Sequence, residues 1–270
     1  MMEGASILWP AAVMVLLLVG PHVYLGLHVL ERGIIFVDLS MAQIAALGSV
    51  AALLAGWEPG SLASSGLSHA FAVMAALGFA GLRRVPDKTY REVLIGIVYV
   101  TATALALVLL SRSPHGAEAI KSMLSGNILW TTPGQLVHVG LLYSGVTAAL
   151  AVFHRRWTSL SRENASGRAA FFWEAGFFGL FALTITNAVE VAGVLMVFAY
   201  LIIPAFVASV WTGSFGRRLA FGWGFGTAAS LLGVSLSYGY DLPTGATIVT
   251  LMGVLAGVLG GVRRFGASAV

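Results

Sequence analysis

Apolar residues run along this chain in stretches of about twenty, the length a helix needs to cross the hydrocarbon of a bilayer. Windows of this kind fall at Ile7 to Leu30, Gly33 to Gly56, His69 to Leu82, Val93 to Leu110, Leu136 to Phe153, Phe171 to Ala188, Val191 to Trp211, Leu219 to Tyr238 and Thr244 to Val262. The pattern predicts an all-α polytopic membrane protein with about nine transmembrane helices, the third being the shortest. The opening "ILWPAAVMVLLLVG" lacks a basic leading region and a small-residue cleavage site, so it is expected to be the first membrane helix and not a signal peptide.

Charge decides the orientation, because short loops rich in Lys and Arg stay in the cytoplasm. "RRVPDKTYRE" (Arg83 to Glu92), "HRRWTSLSRENASGR" (His154 to Arg168), "GSFGRR" (Gly213 to Arg218) and "VRRF" near the C-terminus are basic. "WEPGSLASSGLSH" (Trp57 to His69), "TNAVE" (Thr186 to Glu190) and "YGYDLPTG" (Tyr238 to Gly245) hold no Lys or Arg. Nine spans alternate the two sets without contradiction and place the N-terminus outside and the C-terminus in the cytoplasm. Ser111 to Gln135 then lies outside, with length enough for a short surface helix. No domain boundary or internal repeat interrupts residues 1–270.

Composition narrows the class further. The chain is 58% hydrophobic and 10% charged, with a mean hydropathy of +0.90, which excludes an ordinary soluble domain. Its formal net charge of +4 resides in short loops, so it reports orientation and makes no case for nucleic-acid binding. Without cysteine, any metal chemistry falls to oxygen and imidazole ligands. No HExxH, GxSxG or GxxxxGK[ST] motif occurs, so the chain is expected to move something and not to be an enzyme.

Polar residues inside the spans are the candidate chemistry, since an ionisable group there costs about 2.5 to 3.5 kcal/mol on insertion scales. Asp38 is expected roughly 9 Å of helix rise beyond Arg32. It either pairs with Arg32, caps a neighbouring helix, or meets a cation. Gln43 lies off the Asp38 face by about 140° and serves an interhelical hydrogen bond or ligation; Gly33 and Gly48 bracket the pair. Asn187 and Glu190, three apart, share a helical face and could present oxygen to a cation, or Glu190 could simply be solvated. Among the histidines, His22 and His28 in the first span are structural or ligating, and His69 and His115 are expected outside. Pro204 is expected to kink or pack its span.

Four segments together resemble a known family, the permease subunits of bacterial ABC importers for zinc, manganese and iron. They are "RGIIFVDLSMAQIAALG", "LIGIVYVTATALALVLLS" followed by "LSGNILW", "LFALTITNAVEVAGVLMVFAYLIIPAFVA" and "DLPTGATIV". Where the family commonly has a histidine four residues after the Asp, this chain has Ala42, with Gln43 next. The resemblance therefore implies a metal path of Asp38, Gln43, Asn187 and Glu190, with His28 or His22 standing in for the missing imidazole, suited to manganese or iron at least as well as zinc.

It further implies a single permease domain in the bacterial inner membrane, paired with a second copy. Separate ATPase subunits would bind the ATP, a periplasmic or extracellular metal-binding protein would deliver the ion, and this chain would hold no cofactor of its own. The coupling element toward the ATPase would lie within residues 154–170, where "SRENASG" places Arg162, Glu163 and Gly167 in an acidic-x-Ala-x-Gly pattern. The alternative is a proton- or sodium-coupled secondary carrier with Asp38 and Glu190 as coupling carboxylates, against which the absence of an inverted repeat argues.

Overall fold

The computed structural model describes residues 2–82, 84–111, 116–126, 128–162 and 167–267. These form α1 (Met2–Arg32), α2 (Val37–Leu54), α3 (Leu62–Leu82), α4 (Lys88–Leu110), α5 (Gly116–Ser125), α6 (Pro133–Val152), α7 (His154–Arg162), α8 (Arg168–Ala192), α9 (Val194–Trp211), α10 (Phe215–Tyr240) and α11 (Thr244–Ala267), with one 3₁₀ turn at Ile128–Trp130. Eight of them, α1 to α4, α6 and α8 to α10, are long and apolar enough to cross a membrane. In α11 the described apolar stretch, Thr244–Gly260, is shorter.

Hydropathy does not report which helix is central. More than half of the apolar window is buried in α1, α2, α8 and α9, against 22–33% in α3, α4, α6 and α10. Yet α4 has the highest hydropathy, 2.6, and the least burial, because lipid tails accept Leu and Val as readily as a protein core does. α1 packs on α9 and α10, α2 on α3 and α4, and α8 on α3.

Small residues set the closest approaches. A Cβ at Gly26 would run into the Leu201 carbonyl oxygen, and one at Gly48 would sit 2.8 Å from Ser68 Cα. Gly48 is thus a packing position inside α2 and not a break. Pro204 leaves α9 continuous and packs against α10, where a Cβ at Gly226 would lie 3.3 Å from Pro204 Cγ. Its role is packing.

Three boundaries differ from the sequence expectation. α3 begins at Leu62 and is 21 residues long; the serines that looked like loop are absorbed by hydrogen bonds, such as Ser68 Oγ to Ala45 O at 2.8 Å. α8 continues through "TNAVE" to Ala192, and the chain turns at Gly193, whose φ of 76° suits glycine. α1 ends at Arg32, Gly33 turns with φ 66°, and α2 starts at Val37. Asp38 therefore sits in the first turn of a new helix and not 9 Å along a continuing one.

α6 opens with a capping box in which Thr132 and Gln135 satisfy each other's backbone N–H groups. α4 opens with Asp87 accepting from Thr89 N at 2.7 Å and Tyr90 N at 3.2 Å. Together with α5 as the short helix of the 111–135 segment and α7 in the basic loop, these caps mark the ends of the spans.

Candidate functional site

α3 and α8 bring together residues that the sequence separates widely. His69 Nδ1 lies 2.7 Å from Ser65 O, and His69 Nε2 lies 2.8 Å from Asn187 Nδ2. The same Asn187 amide donates to Leu183 O at 3.0 Å. Glu190 follows on the same face of α8, with the Ser65 hydroxyl, His69 and His138 in its electrostatic reach. Asn187 is buried, His69 half-buried and Glu190 exposed.

Deeper along α2, Asp38 is 1% exposed. Its carboxylate points back at the N–H groups of Asp38 and Leu39 in the opening turn, but neither oxygen meets hydrogen-bonding geometry with any donor. The residue whose charge acts on it is another carboxylate, Glu92 of α4, which anchors the start of α2 by accepting from Phe36 N at 2.9 Å. Gln43 Oε1 and, on the neighbouring α8, Thr186 Oγ1 are likewise buried without partners. Buried polar groups are ordinarily paired, so oxygen atoms left open on two packed helices mark a place suited to a cation, a proton or water. Among the described residues no three His, Asp or Glu side chains group as a metal cage would.

Arg32 is not the partner of Asp38. Its Nη1 donates to Glu174 Oε1 of α8 at 2.6 Å, its Nε donates to Ser161 Oγ at 2.9 Å, and its guanidinium lies 3.9 Å above the Phe177 ring. His28 belongs to this same end of the molecule: Nδ1 is 2.9 Å from Ser161 Oγ, and the ring packs among Tyr24, His154, Phe177 and Phe215. Tyr24 OH meets His154 Nδ1 at 2.9 Å. α7 is thereby tied to α1 and α8 by polar contacts. Of the residues marked in "SRENASG", Gly167 begins α8 with φ 107°; Glu163 and the Arg162 side chain lie outside the described residues, as does His115.

The profile of the ABC 3 transport family matches residues 5–259. The chain belongs to that family. It is a multi-pass membrane component of a transport system, as the spans require. The chain is 29% identical over 238 residues to a probable iron transport system membrane protein of Haemophilus influenzae, covering 79% of this chain and 86% of that one. It is 24% identical over 243 residues to a manganese transport system membrane protein of Synechocystis, covering 82% and 79%. Its fold matches that of PsaBC from Streptococcus pneumoniae in complex with Fab, with a TM-score of 0.77 at 18% identity over 94% of this chain and 90% of that one.

Sequence reasoning missed Ser65, Glu92, Ser161 and Glu174. Ser65 fell in a segment read as loop, although "LASSGLSHA" is rich in small residues of the kind that lets membrane helices approach closely. The other three sit near span ends, where a charge or hydroxyl is unremarkable until its partner is seen.

Proposed function

We propose that this chain is the permease subunit of an ATP-driven importer of a divalent transition-metal ion. The observation that carries the reading is Asp38, a buried carboxylate with neither oxygen in a well-formed hydrogen bond, in a member of the ABC 3 transport family with relatives named for iron and manganese transport. An importer of such an ion needs desolvating oxygen contacts that are weak enough to release it. Asp38 and Gln43 on α2 would supply them at one level, Asn187 and Glu190 on α8 at another. Manganese and iron fit that oxygen-rich lining best, with zinc next.

Two copies of the chain would enclose the path, two ATPase subunits would bind ATP at the cytoplasmic side, and a metal-binding protein would dock outside. The basic loops favour an outer N-terminus, which would put α7 in the cytoplasm. α7, with Arg162, Glu163 and Gly167 at its exit, would receive the ATPase, and its contacts to Tyr24, His28 and Arg32 would pass the motion into α1 and α8 as the path alternates between outward-open and inward-open.

The test is purification from native membranes through a C-terminal tag, followed by reconstitution. The reading expects an ATPase subunit in equal amount and uptake of ⁵⁴Mn²⁺ or ⁵⁵Fe²⁺ that requires ATP. A chain that purifies alone and moves cations without ATP would sink it.

A further inference from the structure

The hydrogen bonds around His69 assign its protons. Ser65 O can only accept, so the nitrogen facing it at 2.7 Å, Nδ1, carries the hydrogen. Nε2 then holds a lone pair, directed at Asn187 Nδ2 at 2.8 Å. The Asn187 amide is oriented by its second donation, to Leu183 O at 3.0 Å; an oxygen in that place would face another acceptor. The outcome is a neutral imidazole whose Nδ1–H is fixed on a backbone carbonyl and whose Nε2 is free of hydrogen. That is the state a histidine adopts when it ligates a metal, the carbonyl bond setting both tautomer and ring orientation.

What surrounds the lone pair completes the picture. Asn187 and Glu190 lie three apart on α8 and so share a face. Glu190 places a carboxylate in the electrostatic reach of His69. A bound cation would invert that preference: rotation of the Asn187 amide would exchange Nδ2 for Oδ1 opposite Nε2, and the charge of the ion would offset the contact of Oδ1 with Leu183 O that holds the amide the other way without it. One imidazole nitrogen with carboxylate and amide oxygens suits a borderline divalent cation, whereas Ca²⁺ and Mg²⁺ take oxygen ligands.

We propose that His69 Nε2, with the Glu190 carboxylate and the Asn187 amide oxygen, forms a separate first binding site for a transition-metal dication between α3 and α8, and that His69 is the residue that discriminates against Ca²⁺ and Mg²⁺. The site supplies the imidazole that the Asp38 segment lacks. With two ionisable ligands it binds weakly and hands the ion on, as a transport site must. The inference rests on the importer reading for its role, but not for its chemistry.

The experiment uses the full chain in lipid nanodiscs with Mn²⁺ as the probe and pulsed electron paramagnetic resonance as the readout, where an imidazole ligand adds nitrogen modulation to the manganese echo. The wild type should show that modulation, and it should persist in a millimolar excess of Ca²⁺. His69→Ala and the more conservative His69→Gln should both abolish it and weaken Mn²⁺ binding by about tenfold or more. Asp38→Asn should retain it. No nitrogen modulation in the wild type, modulation surviving in a folded His69→Gln, or displacement by Ca²⁺ would each overturn the site. None of these outcomes involves ATP, so failure of the site and failure of the importer reading are separately visible.

Discussion

Arg32 and Glu174 form a buried ion pair, with Nη1 of Arg32 donating to Oε1 of Glu174 at 2.6 Å and the two side chains 6% and 7% exposed. It joins the end of α1 to the second turn of α8, beside the helix α7 that also contacts Arg32 through Ser161. A buried pair of this kind contributes little relative to a hydrophobic replacement, but breaking it by removing one partner leaves a charge stranded.

Glu174→Ala is therefore expected to destabilise the chain by about 3 kcal/mol or more. The double replacement Arg32→Met with Glu174→Leu should recover most of that loss. Thermal unfolding in detergent of the two variants beside the wild type checks it, and equal midpoints for the single and double variants would contradict the pairing.

Asp38→Asn should behave in the opposite way. Neither carboxylate oxygen has a hydrogen-bond partner to lose, and the charge acting on it is that of Glu92, so neutralising it should leave the unfolding midpoint unchanged or raised. Metal uptake should fall by about tenfold or more, since an ionised ligand would be gone. Wild-type uptake in a folded Asp38→Asn protein would remove the residue from the path.

Gly193→Ala should be damaging where Gly78→Ala is harmless. At Gly193 φ is 76°, and an added Cβ would meet Gly126 N and lie 2.7 Å from Ser125 C. Backbone strain alone there costs about 1 to 3 kcal/mol, before the clash is counted. Gly78 lies inside α3 with nothing within 4 Å of a new Cβ, so alanine should stabilise slightly through helix propensity. Comparing expression and unfolding midpoints of the two variants tests both.

Ser161→Ala removes the hydroxyl that α7 offers to His28 Nδ1 and Arg32 Nε, each at 2.9 Å. The stability change should be modest, about 1 kcal/mol. If α7 is the coupling element, the reconstituted transporter should hydrolyse more ATP per ion carried. An unchanged ratio would assign the contact to packing alone.

The sequence was informative where the governing physics is local. A bilayer demands about twenty apolar residues in a helix that satisfies its own backbone, so the helical class and the multi-pass character could be read from the windows alone. Glycine at Gly33 and the acid at Asp38 were equally visible. What their neighbours would be was not: Asp38 turned out to begin a helix, because the turn at Gly33 resets the register that a continuous helix would have kept.

By itself, then, the sequence determined an all-helical membrane chain, the apolar windows within its spans and the family resemblance. The tertiary structure decided who meets whom. Arg32 passes over the nearby Asp38 for a carboxylate 142 residues away, and His69 finds Asn187 across 118 residues. It also decided which spans are central, because a protein interior and a lipid tail are equally apolar and hydropathy cannot tell them apart. Pairings between distant polar groups depend on how helices cross, and that is settled by small-residue contacts such as Gly26 against Leu201, which leave no periodic trace along the chain.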